Sequence, residues 1–133
     1  MTEGKLFTCS VVTPEKIVLD RKVRFVAVPA HDGEIGFLTG RAPLVVKLDV
    51  GRLRVESDEG SEELFIDGGF AEMVGDKLTI LTEDARRPEE LDRDEILTER
   101  QTAVAQPSVS DKAFAERQRA LKRSRTQLRL LDE

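Results

Sequence analysis

The stretch Gly33-Glu34-Ile35-Gly36-Phe37-Leu38-Thr39-Gly40-Arg41-Ala42-Pro43-Leu44 packs three glycines and a proline into twelve positions. It lies between two runs that read as β-strands, and it carries almost no catalytic chemistry. Glycines permit tight turns and close approach of another chain, so the segment reads as a shaped surface loop that fits a partner.

Outward from this loop, the first 85 residues break into short strand-like runs separated by turns. Leu6 to Thr13 is rich in β-branched and aromatic residues and stops at Pro14. Ile17 to Leu19 and the partly alternating Val23 to Val28 follow, and then the Asp32-Gly33 turn signal. Leu44 to Leu48 is a short apolar run, Arg52 to Val55 alternates cleanly, and Glu63 to Ile66 leads into Gly68-Gly69. Phe70 to Val74, the Gly75-Asp76 turn and Leu78 to Leu81 form a hairpin pattern. Strands at this spacing, each with one apolar face, predict a β-sandwich or flattened barrel.

After Ala85 the pattern changes. Glycine disappears, and Arg, Gln, Glu, Ala and Leu take over, all good helix formers. Asp92 and Glu95 have the spacing of a capping box, which starts a helix with Ile96, Leu97, Ala103 and Val104 on one face. Gln106 to Ser110 breaks the pattern, and Ser108 or Ser110 can cap a second helix from about Asp111 to Leu131. There Phe114, Leu121 and Leu128 recur every seven residues, flanked by Ala113, Ala120 and Leu131. The expected architecture is α+β: a sandwich over residues 1–86 and an antiparallel helical hairpin over residues 87–133. The apolar seam between the helices is thin, so the hairpin is expected to be held only marginally and able to exchange docking surfaces.

At 133 residues and 14.9 kDa the chain is one domain, or one domain with a small appendage. Its net charge of −5 opposes non-specific nucleic-acid binding by the whole chain. The second helix is the exception. Lys112, Arg117, Arg119, Lys122, Arg123, Arg125 and Arg129 face only Asp111 and Glu116, a local net of +5. A solvated face is the ordinary reading of such a helix, and a docking surface for an acidic partner is the sharper one.

The lone cysteine, Cys9, excludes an internal disulfide and fits a reducing compartment. The residues after Met1 show no secretory or transit pattern, and no apolar run approaches membrane-spanning length. Cys9 with the only histidine, His31, could in principle be nucleophile and base, but Cys9 sits in a strand pattern where a buried inert thiol is expected. Cysteines and histidines are too few for a zinc site. The glycine-rich loop lacks the Gly-Lys-Ser/Thr ending of a phosphate cradle. Glu56, Asp58, Glu59, Glu62 and Glu63 could bind a cation weakly, but a solvated hairpin tip is the default reading. No enzymatic reading survives, and no cofactor or metal is expected.

The ordered set Asp32-Gly33-Glu34-Ile35-Gly36, Gly40-Arg41-Ala42-Pro43-Leu44, Gly51-Arg52-Leu53-Arg54, Gly68-Gly69-Phe70-Ala71-Glu72 and Leu78-Thr79-Ile80-Leu81 resembles the ε subunit of bacterial and chloroplast F-type ATP synthases. The likeness covers nearly the whole chain. It departs where the family has Pro and His, at Thr39 and Arg41. The resemblance implies a non-catalytic subunit at the foot of the rotor's central stalk. Its sandwich would bind the γ subunit and the polar loops of the c-ring, with Gly33, Glu34, Gly36, Gly40 and Arg41 in the c-ring-facing loop. The hairpin would be regulatory. When extended, its second helix would meet acidic segments of the α/β catalytic hexamer through Arg117, Arg119, Lys122, Arg123 and Arg125 and block ATP hydrolysis.

The resemblance also implies a place peripheral to the membrane, on the cytoplasmic face of the bacterial inner membrane or the stromal face of the thylakoid. Some relatives bind ATP on the folded hairpin through an Ile/Leu-Asp-x-x-Arg-Ala motif and second-helix arginines. Leu91, Asp92 and Arg123 match that pattern, whereas Glu95, Ile96, Glu116 and Gln127 do not, so weak or no ATP binding is expected. The competing class is a free-standing β-sandwich binding module. A carbohydrate-binding version is disfavoured by the absence of Trp and Tyr, and a nucleic-acid binder by the acidic remainder.

Overall fold

The computed structural model describes residues 5–39, 43–107 and 109–132. Within these residues, eight strands precede two helices. They are β1 (Phe7–Val12), β2 (Ile17–Val23), β3 (Phe25–Ala30), β4 (Gly33–Phe37), β5 (Leu44–Ser57), β6 (Gly60–Val74), β7 (Lys77–Leu81) and β8 (Ala85–Arg86). A 3-10 turn at Pro88–Glu90 leads into α1 (Arg93–Ala105) and α2 (Asp111–Leu131). The strand order is β2-β1-β7-β6-β5-β3-β4, with β8 added to β6. All neighbours are antiparallel except β1 and β7, which run parallel. This is the α+β fold expected from the sequence, a sandwich-like sheet followed by a helical hairpin.

Two expectations about the strands need correction. The runs Leu44 to Leu48 and Arg52 to Val55 are one strand, β5, and Glu63 to Ile66 with Phe70 to Val74 are one strand, β6. The two strands pair along their lengths, from Leu44 opposite Met73 to Ser57 opposite Gly60. The reason is a shared bend. In one half the interior side chains are Leu53, Val55, Leu64 and Ile66; in the other they are Val46, Leu48, Ala71 and Met73. Odd and even positions exchange sides in both strands, so one long ribbon supplies both layers of the sandwich.

In β6 the exchange occurs at Gly68 and Gly69, with φ of 74° and 109°. A Cβ on Gly69 would lie 1.8 Å from the Leu81 carbonyl oxygen, so only glycine fits there. The second correction concerns Gly33 to Phe37, which is not loop but the edge strand β4, paired with β3 from Ala30–Gly33 to Val26–Phe37. Its glycines hide the strand alternation.

The helices begin where the caps place them. Asp92 Oδ1 accepts from the Asp94 N–H at 2.9 Å, and Ser110 Oγ accepts from the Ala113 N–H at 3.1 Å. The hairpin seam differs from the sequence pattern. Ile96 and Ala103 are buried, but Leu97, Val104 and Phe114 are exposed. Polar Ser124 and Gln127 take buried positions of α2 instead, 0% and 6% exposed. The physical cause is geometry: α1 packs on α2 and makes little contact with the sheet, so it buries only one narrow stripe. Leu97 and Val104 lie a residue further round the helix, roughly 100° from that stripe.

Candidate functional site

Three features of the surface carry the functional reading: the β3–β4 hairpin, an apolar row on the sheet, and the contact between α2 and the bend. In the first, Glu34 lies opposite Pro29 and is exposed. Gly33 closes the turn at φ 123°, whereas Gly36 sits inside β4, where a Cβ would lie 2.7 Å from the Phe25 ring. Glu34 shares a cleft of about 230 Å³ with Arg52 and with Thr126, Arg129 and Leu130 of α2. Gly40 and Arg41 lie outside the described residues.

The second feature was not foreseen from the sequence. Register aligns Ile17, Val12, Leu81 and Phe70 across four adjacent strands, with Lys47 as the next partner. Ile17, Leu81 and Phe70 are each at least half exposed, as are Val45 and Val74 on β5 and β6. Contiguous exposed apolar side chains on a sheet face mark a candidate interaction surface. The available signal was the alternation around Phe70, which places it on the side opposite buried Ala71 and Met73.

The third feature is the hairpin contact. Val50 and Phe65 form a small apolar cluster with Leu91, Ile96 and Leu130, against which Leu128 and Leu131 pack. Beside it, the bend turns Asp49 and Asp67 toward α2. Lys122 Nζ donates to Asp49 Oδ2 at 2.6 Å. Arg119 Nη2 donates to Asp67 Oδ1 at 2.8 Å and to the Asp67 carbonyl at 3.3 Å, while Arg123 Nη1 donates to Asp67 Oδ2 at 3.4 Å. Burial alone would raise the Asp49 pKa. The hydrogen bonds from Lys122 and the Val50 N–H, with the charges of Lys122 and His31, outweigh it and hold the carboxyl below its ordinary value. Of the remaining bases assigned to this helix, Arg117 is half-buried and Arg125 exposed. The acids at the other end of these bonds, Asp49 and Asp67, were missed because they are 52 to 73 residues away in sequence.

Leu91, Asp92 and Arg123 do come together, around a cleft of about 330 Å³. Asp67, Asp84, Asp92, Glu95 and Glu99 line it, against only Arg86 and Arg123. Asp92 is committed to capping α1, and Arg123 to Asp67. This is an unfavourable field for a polyphosphate.

The catalytic alternatives do not gain from the structure. Burial, reinforced by Asp20, pushes the Cys9 thiol up to about 12, so the thiolate is scarce at neutral pH. The acids at the β5–β6 tip pair with arginines: Asp58 with Arg24, Glu59 with Arg21 and Glu63 with Arg52. Among the described residues, no cluster of three or more His, Cys, Asp or Glu could hold a metal ion. No helix there is long and apolar enough to cross a membrane.

Comparison with known proteins agrees with this architecture. Residues 6–88 match the β-sandwich domain of the ATP synthase Delta/Epsilon chain. The chain is 41% identical over 121 residues to the ATP synthase epsilon chain of Rhodopirellula baltica, covering 91% of this chain and 94% of that one. It is 35% identical to the epsilon chain of Caldicellulosiruptor saccharolyticus, covering 96% and 94%. It is 33% identical to the chloroplastic epsilon chain of Guillardia theta, covering 90% and 92%. The fold also resembles a chain of the Euglena gracilis mitochondrial ATP synthase, with TM-score 0.82, 24% identity, and coverage of 95% and 81%. A chain of the Tetrahymena thermophila central stalk and c-ring structure gives TM-score 0.70 at 13% identity, with coverage of 98% and 99%. The protein therefore belongs to the ATP synthase delta/epsilon chain family.

Proposed function

We propose that the protein is a non-catalytic rotor subunit of a proton-translocating F-type ATP synthase. Residues 1–86 couple the γ subunit to the c-ring, and residues 87–133 regulate ATP hydrolysis. The apolar row Ile17–Val12–Leu81–Phe70 supports γ docking, because none of the described residues covers this face. Glu34 is the residue offered to a base of a c-ring loop, standing exposed on β4. The complex lies on the cytoplasmic face of the membrane, and the protein reaches the bilayer only through its partners.

The observation that carries the regulatory part is the way the hairpin is attached. It rests on the sheet through α2 and the 3-10 turn, by a small apolar cluster and a set of ion pairs. Such a contact can be exchanged for another, and the +5 helix then presents Arg117, Arg119, Lys122, Arg123 and Arg125 to acidic segments of the catalytic hexamer. Co-purification tests the assignment. The tagged chain should bring down γ and the c-ring in stoichiometric amounts, and a monomer that ignores both would refute it.

A further inference from the structure

Among the bases assigned to the inhibitory face of α2, Arg119, Lys122 and Arg123 have acidic partners on the sheet. Arg119 and Arg123 converge on Asp67, and Lys122 meets Asp49. Both carboxylates belong to the bend of β5 and β6, and the Asp67 side chain is only 15% exposed. They are part of the sheet and cannot travel with the helix. Each of these bases can therefore engage the sheet or an external acidic surface, but not both.

We infer that Asp49 and Asp67 form an ionic latch that sets how often the hairpin leaves the sandwich. The inference rests on the regulatory reading above and names the residues that govern it. When α2 departs, two carboxylates remain at a partly buried surface without their cations, and this opposes release more than exposed pairs would. The small apolar cluster of Val50, Phe65, Leu91, Ile96 and Leu130 holds the same contact but cannot distinguish an acidic partner from any other. The carboxylates can. They compete with that partner for the same cations, so inhibition depends on the difference between two acidic sites. The sign is diagnostic. Neutralising Asp67, which in this reading never touches the catalytic subunits, should strengthen inhibition.

The full-length chain carrying spin labels at Gln118→Cys on α2 and Ser61→Cys on the sheet tests this directly by pulsed distance measurement; both positions are exposed. The parent protein should show one short distance. Asp49→Asn with Asp67→Asn should raise the undocked-to-docked ratio about tenfold. Arg119→Gln with Arg123→Gln should have the same effect without altering the sandwich. In the assembled complex the Asp49/Asp67 variant should hydrolyse ATP more slowly. The exchange Asp49→Lys with Lys122→Asp should restore the short distance yet weaken inhibition. An unchanged distance distribution in both double variants overturns the latch, whatever hydrolysis does. Loss of docking with unchanged hydrolysis upholds the latch and overturns the inhibitory reading instead.

Discussion

Arg119 reaches Asp67 by passing over Gly68: its Nη2 lies 2.8 Å from Asp67 Oδ1 and 3.0 Å from where a Gly68 Cβ would stand. The glycine that lets β6 bend also clears the way for the guanidinium. One local choice in the sequence thus forms the corner of the sandwich and seats α2 on it.

The two glycines of the bend should respond differently to substitution. Gly69→Ala places Cβ against the Leu81 carbonyl and forces a positive φ on alanine, so it should destabilise the chain by about 3 kcal/mol or more. Gly68→Ala also takes a positive φ, but its Cβ meets the end of a flexible arginine and only an ordinary contact with the Leu48 carbonyl, so it should cost less, about 1–2 kcal/mol. Urea denaturation followed by circular dichroism distinguishes the two, and equal midpoints would contradict the account of the corner.

Acid should loosen the hairpin. The Asp49 carboxyl is held below its ordinary value of 3.8 in the docked state. Its contribution is therefore fully present above that value and lost as pH falls through the lower, docked-state value. Docking measured by label distance should be unchanged from pH 8 down to about 5 and decline below about 4. A transition centred near neutral pH would contradict the assignment of the contact to the Asp49 carboxylate.

Phe70→Glu should abolish co-purification with γ while leaving the isolated chain folded. Phe70 is 52% exposed, so its replacement should change stability by no more than about 0.5–1 kcal/mol. Retained γ binding would move the docking face away from the Ile17–Phe70 row.

Glu34→Lys should weaken assembly with the c-ring and lower the coupling of proton flow to ATP synthesis. Because Glu34 is exposed on an edge strand, thermal melting should be nearly unchanged. Normal assembly yield and coupling would remove Glu34 from the interface.

Isothermal calorimetry with ATP should give no binding in the micromolar range, because five carboxylates line the cleft that holds Leu91, Asp92 and Arg123. A micromolar affinity would show that the nucleotide enters despite them.

The parts of the fold written locally were legible in the sequence. Asp92 and Ser110 cap the helices that their spacing predicts, and the Gly75-Asp76 turn joins the end of β6 to β7. The bend was not legible. Asp49-Val50-Gly51 and Asp67-Gly68-Gly69 interrupt the alternation of β5 and β6 as a loop would, although the same pairing register holds on both sides of Asp49 and Gly68. The basic face of α2 was plain, but its acidic partners lie in strands far away in sequence, where nothing local couples them to it. Phe114 shows the opposite failure: its heptad spacing is that of a seam residue, yet α1 does not cover it.

ATP hydrolysis by the assembled complex, with and without residues 87–133, tests the central claim most directly. Removing the hairpin should leave γ and c-ring assembly intact and raise hydrolysis several-fold. An assembled complex whose hydrolysis does not rise would contradict a regulatory role for the hairpin.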